Sequence, residues 1–181
     1  MPEVDHEVRY WQEIYQRKYQ EALDRASVNF AERWLRDMYS AFAYDLLDEQ
    51  TLARESYDAA RIQLEEAVPE QPQNFVLLSM LGIAYAGLDR KEDAIRIGKK
   101  SIELHPISKD AVSGTFPILD LARIYTMVGE YEKALDLNER LLSIPSDFSI
   151  PLLQLDPLWG KPLWDHPRFQ ELVERYGNAS K

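Results

Sequence analysis

The chain has 181 residues and a formal charge of −10, from 21 basic and 31 acidic side chains. This negative charge would repel nucleic-acid backbones and anionic membranes, which disfavours both as partners. A hydrophobic content of 45% is too high for a disordered chain, and seven glycines are few for a turn-rich β fold. Because the sequence has no cysteine, disulfides, thiolate nucleophiles and Cys-ligated metals are excluded.

The sequence shows no membrane or export signal. Its first residues are acidic and include no apolar stretch of the kind found in signal peptides. The longest uncharged stretch, residues 71–88, is shorter than the roughly 20 residues that cross a bilayer, so its apolar part, residues 75–88, predicts a buried helix. We therefore expect a cytoplasmic protein that does not insert into membranes, or else the soluble portion of a larger or membrane-anchored protein.

Three segments of the sequence align with one another, at offsets of 41 and then 40 residues. In each segment a tyrosine precedes an alanine by nine residues. The pairs are Tyr44 and Ala53, Tyr85 and Ala94, and Tyr125 and Ala134. Apolar residues recur at helical spacing before and after each turn, so each segment predicts a pair of helices.

Polar and small residues predict where these helices begin, end and cross. The pattern at 89–92 predicts a capping box for the second helix of its pair, and Pro106 follows that helix. Asp48 is expected to cap a longer helix that runs to about residue 68. Gly129 is expected to lie in the turn between the two helices of the third pair. Close crossings are expected at Ala41, Gly82 and Ala122 of the first helices, and at Ala53, Ala94 and Ala134 of the second.

The second of these segments resembles the tetratricopeptide repeat. It reads LGIAYAGLDRKEDAIRIGKKSIELHP, with Leu81, Gly82, Tyr85, Ala94 and Pro106 in the family's places. The resemblance covers roughly residues 34–145. It departs from the family in lacking the Trp near the start of each repeat, in having Asp for the turn Gly, and in a period near 40.

The resemblance implies an all-α fold, a right-handed α-solenoid of three to four helix pairs with a helical C-terminal cap. Residues 1–33 would form an N-terminal helix pair that is a possible degenerate repeat, and residues 34–145 three repeats. Residues 146–181 would form the capping segment, because the last repeat of such an array exposes an apolar face.

The capping segment is similar to the one that closes tetratricopeptide regions of bacterial signalling proteins, such as Ser/Thr kinases, adenylate cyclases and winged-helix regulators. The resemblance rests on Leu155-Asp156-Pro157 and on residues 165–169, which read DHPRF. We expect its apolar residues to be buried, namely Leu152, Leu155, Leu158, Trp159, Trp164, Phe169 and Leu172. A scaffolding or sensory role in bacterial signalling would follow.

No motif of the sequence predicts catalysis or a cofactor. His6 opens a pattern like the zinc motif HExxH, but Tyr10 occupies the place of the second ligand. His105 and His166 are each followed by proline, which is typical of helix boundaries. Gly-rich phosphate loops and the nucleophile motif GxSxG do not occur. We therefore expect neither an enzyme nor a metal or other cofactor.

The resemblance implies a concave groove lined by fixed positions of each first helix, the second, fifth, ninth, twelfth and thirteenth of each repeat. The candidate site residues chosen from these positions are Trp11, Tyr15, Leu35, Met38, Phe42, Asp45, Ser79, Ile83, Phe116, Leu119, Arg123 and Met127. The same positions include Glu7 and Val76. The set is mostly apolar and lacks the Lys and Asn clamp with which chaperone-binding members hold a peptide carboxylate.

Such a groove suits an apolar or amphipathic segment of a partner protein. The alternatives are that the groove is filled by the N-terminal helix, by the C-terminal cap, or by a second copy in a homodimer. A basic ridge is a further candidate surface, formed by Arg96, Lys99 and Lys100. We expect Phe42→Glu to abolish binding without unfolding the protein, provided that Phe42 faces the groove.

Overall fold

The computed structural model describes residues 4–144, 146, 148–158 and 160–177. Within these ranges the chain forms ten α-helices, two short 3-10 turns and no strand. The helices are α1 (Val4–Tyr15), α2 (Tyr19–Asn29), α3 (Arg33–Leu46), α4 (Gln50–Glu70), α5 (Phe75–Gly87), α6 (Lys91–Leu104), α7 (Phe116–Met127), α8 (Tyr131–Leu142), α9 (Ile150–Leu155) and α10 (Pro167–Tyr176). The prediction of an all-α protein is confirmed.

Neighbouring helices pack in the order of the chain. From α1 to α8, each helix contacts the one that follows it, and α5 also contacts α7. One apolar core runs through these helices, and a smaller core lies between α7, α8 and the C-terminal segment. Among the described helices, none combines the length and the apolar character needed to cross a membrane.

The turns that follow α1, α3, α5 and α7 share one backbone geometry. Each contains a residue at positive φ: Arg17 (62°), Asp48 (63°), Asp89 (62°) and Gly129 (76°). In each turn, the backbone N–H of the residue after the one at positive φ donates to the carbonyl five positions before it. These bonds join Lys18 to Glu13 (2.9 Å), Glu49 to Tyr44 (2.9 Å), Arg90 to Tyr85 (2.9 Å) and Glu130 to Tyr125 (2.8 Å). This is the Schellman way of ending a helix. The N-terminal helix pair therefore has the same turn as the three pairs that align in sequence.

The predicted capping roles of Asp48 and Asp89 are wrong. Both residues lie at positive φ, one position before the N-cap, and the N-caps of α4 and α6 make no side-chain capping bond. A short polar side chain tolerates the left-handed conformation better than most, which explains aspartate where the repeat family has glycine. Among the helix N-caps that the structure describes, the one whose side chain makes a capping bond is Asn74, at the start of α5.

Small residues allow the helices to approach closely, as predicted. The five alanines expected at crossings, Ala41, Ala53, Ala94, Ala122 and Ala134, are at most 2% exposed. A Cβ added to Gly82 would lie 3.3 Å from the carbonyl oxygen of Ala94 and 2.8 Å from Cδ1 of Ile124. Since these distances are too short, α5 cannot accept a larger side chain against α6 and α7 without a shift.

The C-terminal segment is held on α8 by an ion-pair network. The Arg168 guanidinium lies 3.0 Å from Glu132, 2.6 Å from Asp136 and 3.1 Å from Glu139, three acids on one face of α8. Two residues of α10, Phe169 and Leu172, are buried beside this network. The DHPRF motif therefore attaches the C-terminal segment through both charge and apolar packing.

The predicted burial of Leu155 is wrong, because its side chain is 42% exposed. Helix α9 is short and buries Ile150 and Leu153, which share one face, so Leu155 points elsewhere. Leu152, Leu158 and Trp164 are half-buried. Trp159 lies outside the described residues.

Candidate binding groove

A cavity of about 320 Å³ lies between α1, α3, α5, α7 and the C-terminal segment. Six aromatic and four charged side chains contribute to its wall, and we call it the aromatic cavity. Its lining residues are Glu7, Trp11, Tyr15, Tyr39, Phe42, Phe75, Val76, Met80, Phe116, Leu119, Asp120, Arg123, Leu152 and Asp156. The N-terminal helix and the C-terminal segment both contribute, so each covers part of the face formed by α3, α5 and α7.

Helical spacing brings the lining residues together from each helix. On α7, Phe116, Asp120 and Arg123 follow one another at intervals of four and three residues, which places them on one face. On α1, Glu7 and Trp11 are four residues apart and likewise share a face. The helical periodicity that predicts the helices therefore also explains why these side chains line one cavity.

A buried arginine lies at the centre of the cavity wall. Arg123 is 7% exposed, and its guanidinium carbon lies 5.7 Å from the ring centre of Trp11 and 5.4 Å from that of Phe42. One of its terminal nitrogens is 3.9 Å from a carboxylate oxygen of Asp156. Cation–π and ionic attraction thus connect α7 to α1, to α3 and to the C-terminal segment through a single side chain.

Two carboxylates of the cavity accept hydrogen bonds from neutral donors. Glu7 accepts the hydroxyl of Tyr39 at 2.6 Å. Asp156 is 1% exposed and accepts the backbone N–H of Leu158 at 2.9 Å, in addition to its ion pair with Arg123. The Leu-Asp-Pro motif therefore places a charged group in the cavity, and not only an apolar cap.

The third carboxylate, Asp120, lies in an environment that disfavours its charge. Burial raises the pKa of Asp120 above its usual value, although the charge of Arg123 and the hydroxyl of Ser79 act in the opposite direction. Burial and the negative charge of Asp156 also raise the pKa of Tyr15, to about 12. The cavity therefore disfavours the charged form of Asp120 and keeps Tyr15 neutral at neutral pH.

A second cavity of about 350 Å³ adjoins the first, and we call it the apolar pocket. It is lined by Ala111, Val112, Thr115, Phe116, Leu119, Leu141, Ser146, Phe148 and Leu152. Phe116, Leu119 and Leu152 line both cavities, which we together call the groove. The exposed fractions are 51% for Phe116, 69% for Val112 and 40% for Val76, so apolar side chains meet solvent at its mouth.

Half of the candidate residues named from the sequence line the aromatic cavity: Trp11, Tyr15, Phe42, Phe116, Leu119 and Arg123. Phe42, however, is only 1% exposed, because rings of α1, α3 and α4 surround it. The condition attached to our expectation for Phe42→Glu is therefore not met, and we now expect this substitution to destabilise the fold. Phe116, at 51%, is the most exposed aromatic residue of this set, and Trp11 and Tyr15 are half-buried.

The other candidates lie elsewhere. Met38, Ser79 and Ile83 are buried in the helix packing, and Leu35 is half-buried against the core. Asp45 accepts the hydroxyl of Tyr57 at 2.6 Å, and burial raises its pKa. Asp45 and Met127 line a different concavity near the turns.

Counting repeat positions missed several residues of the groove. Asp120 directly follows the candidate Leu119. Counting selects Leu119 alone, whereas residues on both sides of that position also line the cavity. Tyr39 and Met80 were missed for the same reason, each adjacent in sequence to a candidate position. Leu152 and Asp156 come from the C-terminal segment, and no local pattern shows where that segment meets the groove.

His105 and His166 contact neighbouring side chains; Nε2 of His166, for example, lies 3.4 Å from a carboxylate oxygen of Glu132. His105 stacks on Phe75, with ring centres 4.2 Å apart, and shares a 2.7 Å hydrogen bond with Ser113. His105 and His166 both lie at helix ends, as predicted. In the described part of the chain, no group of three His, Asp or Glu side chains is arranged to hold a metal ion. Comparison with protein-family models, curated proteins and solved structures finds no match to the chain.

Proposed function

We propose that the protein is an interaction module of the tetratricopeptide type, a right-handed solenoid whose groove binds an apolar or amphipathic segment of a partner protein. The common turn geometry of four helix pairs supports a repeat architecture. The contact of α5 with α7 supports stacking of the first helices along one face. In this proposal the protein has no catalysis of its own and serves a bacterial signalling or regulatory system, as its C-terminal segment implies.

The observation that carries this proposal is the exposed aromatic residue at the mouth of a formed groove. Phe116 borders both cavities and is 51% exposed, with Val76 and Val112 also exposed nearby. An apolar patch around a concavity is typical of a binding site. Covering the exposed part of such a ring contributes about 1–2 kcal/mol to binding.

A single substitution tests this function. Phe116→Ala removes the exposed ring, while Ile62→Ala is the matched control, because Ile62 is 46% exposed on α4 and lines neither cavity of the groove. Wild type and both variants are used to capture proteins from lysate of the source organism, and the bound proteins are quantified. We expect the main partner to be lost about tenfold with Phe116→Ala and retained with Ile62→Ala. Equal capture by all three proteins would contradict the proposal.

The alternative function is self-association through the same groove. An exposed Phe116 suits a second copy of the chain as well as a different partner. Light scattering after size exclusion separates the two, because the alternative predicts a wild-type dimer that Phe116→Ala converts to a monomer. A wild-type monomer that captures a partner supports the first proposal.

A further inference from the structure

The aromatic cavity has an excess of negative charge. Of the described residues that line it, three carry carboxylates, Glu7, Asp120 and Asp156, and one, Arg123, carries a guanidinium. Asp156 forms an ion pair with Arg123, whose charge also acts on Asp120. The carboxylates of Glu7 and Asp120 line the same cavity, where a ligand could contact them.

The surroundings of Glu7 and Asp120 fit an external cation. The described hydrogen-bond partner of Glu7 is the neutral hydroxyl of Tyr39, and none of the described ion pairs includes Glu7. For Asp120, burial outweighs the stabilising charge of Arg123, so its ionised form is held in unfavourable surroundings. A positive group entering the cavity would improve the environment of both carboxylates.

The aromatic walls also suit a cation. Arg123 already shows this within the molecule, with its guanidinium over the rings of Trp11 and Phe42. Further rings, including those of Phe75 and Phe116, line the same cavity. Aromatic faces attract a desolvated cation through the negative potential of the ring, so they add to the effect of the acids.

Resting on the proposed function of the groove, we propose that its partner is a segment that carries a lysine or arginine beside an apolar side chain. The basic side chain enters the aromatic cavity near Glu7 and Asp120. The apolar side chain fills the adjoining pocket around Val112, Phe116 and Phe148. Because the chain carries a formal charge of −10, a basic partner segment is favoured over a second copy.

The test begins with a library of random peptides displayed on phage and selected on wild-type protein, with Phe116→Ala protein as the counter-selection. We expect the enriched peptides to contain Lys or Arg next to an aromatic or aliphatic residue. The best peptide is then synthesised in two further forms, with its basic residue replaced by norleucine or by Glu. By calorimetry, the norleucine form should bind wild type about tenfold more weakly, and the Glu form more weakly still.

Two variants of the protein complete the test. Asp120→Asn and Glu7→Gln should each weaken the basic peptide several-fold and leave the norleucine peptide unchanged. Glu66→Gln is the control, because Glu66 is exposed on α4 and lines neither cavity of the groove. Glu7 is itself exposed, so Glu7→Gln keeps the test valid if the Asp120 variant fails to fold.

The possible failures are distinguishable. If the norleucine and basic peptides bind equally and both need Phe116, the groove function stands and the preference for a cation is overturned. An acidic consensus among the selected peptides overturns it as well. If no peptide distinguishes wild type from Phe116→Ala, both the preference and the proposed function fail.

Discussion

The left-handed turn at Asp48 gives a quantitative test of the repeat geometry. Asp48 has a φ of 63° and an exposed side chain, so Asp48→Gly changes the backbone preference without removing buried contacts. A left-handed conformation costs an L-residue about 1–2 kcal/mol of stability, and Asp lies at the low end of this range. Glycine removes this cost, but it gives the unfolded chain more conformational freedom, which lowers the stability by about 0.4–1 kcal/mol. We therefore expect Asp48→Gly to stabilise the protein by about 0.5 kcal/mol, which raises Tm by about 1–2 °C.

The equivalent position of the third pair supplies the opposite change. A Cβ added to Gly129, whose φ is 76°, would meet no heavy atom within 4 Å, so the cost of Gly129→Ala comes from the backbone alone. We expect a loss of about 1 kcal/mol, or about 2–4 °C in Tm. Urea and thermal unfolding followed by circular dichroism measure both variants, with Asp48→Ala as the control that retains the left-handed cost. A less stable Asp48→Gly protein, or an unchanged Gly129→Ala protein, would refute the reasoning.

Three further predictions concern the helix packing, the C-terminal segment and the cavity. Ala94→Leu should destabilise the protein by about 1–3 kcal/mol, because Ala94 is fully buried where α5 and α6 cross, and an unchanged Tm would contradict the repeat alignment. Arg168→Ala should cost about 1 kcal/mol in urea unfolding, since its guanidinium contacts three acids of α8. Arg175→Ala should cost less, because the described contacts of that more exposed side chain include one acid only. Asp120→Asn should raise Tm at neutral pH, because burial raises the pKa of Asp120 above its unfolded value and the ionised form therefore opposes folding. That gain should shrink as the pH falls through the raised pKa towards 3.8, where both states bind the proton, and a gain that persists below pH 3.8 would show another cause.

The sequence predicts the helix pairs because their determinants are local. The nine-residue interval from Tyr85 to Ala94 spans the end of one helix, its turn and the first residues of the next. Small residues recur at the crossings, and apolar residues follow helical spacing, so element type and pairing can both be derived without long-range information. The same periodicity explains why six of the candidate residues line one cavity.

The exposure of individual residues is less predictable, as Phe42 and Phe116 show. Both are aromatic residues at groove positions of first helices. Phe42 lies within α3 and is covered by Trp11 of α1 and Tyr57 of α4, whereas Phe116 is the first residue of α7 and is half-exposed. The difference depends on which neighbouring helices cover each position. The sequence of a single repeat does not specify this.

The charges of the cavity are the least predictable part. Arg123 and Asp156 are 33 residues apart, and their pairing depends on where the C-terminal segment returns to the groove. Asp156 belongs to a motif whose sequence context indicates an apolar cap. Its electrostatic role follows only from the tertiary structure, as does the raised pKa of Asp120.

The most direct test of the central claim is to map a selected peptide on the protein by NMR. Titration of ¹⁵N-labelled protein follows the indole N–H of Trp11 and the backbone amides of α7, with Ile62 of α4 as a reference on another surface. If the groove is the binding site, the largest shifts occur at Trp11 and at residues 116–120, and they disappear in Phe116→Ala protein. Shifts confined to α4 and α6, with Trp11 unchanged, would contradict the account.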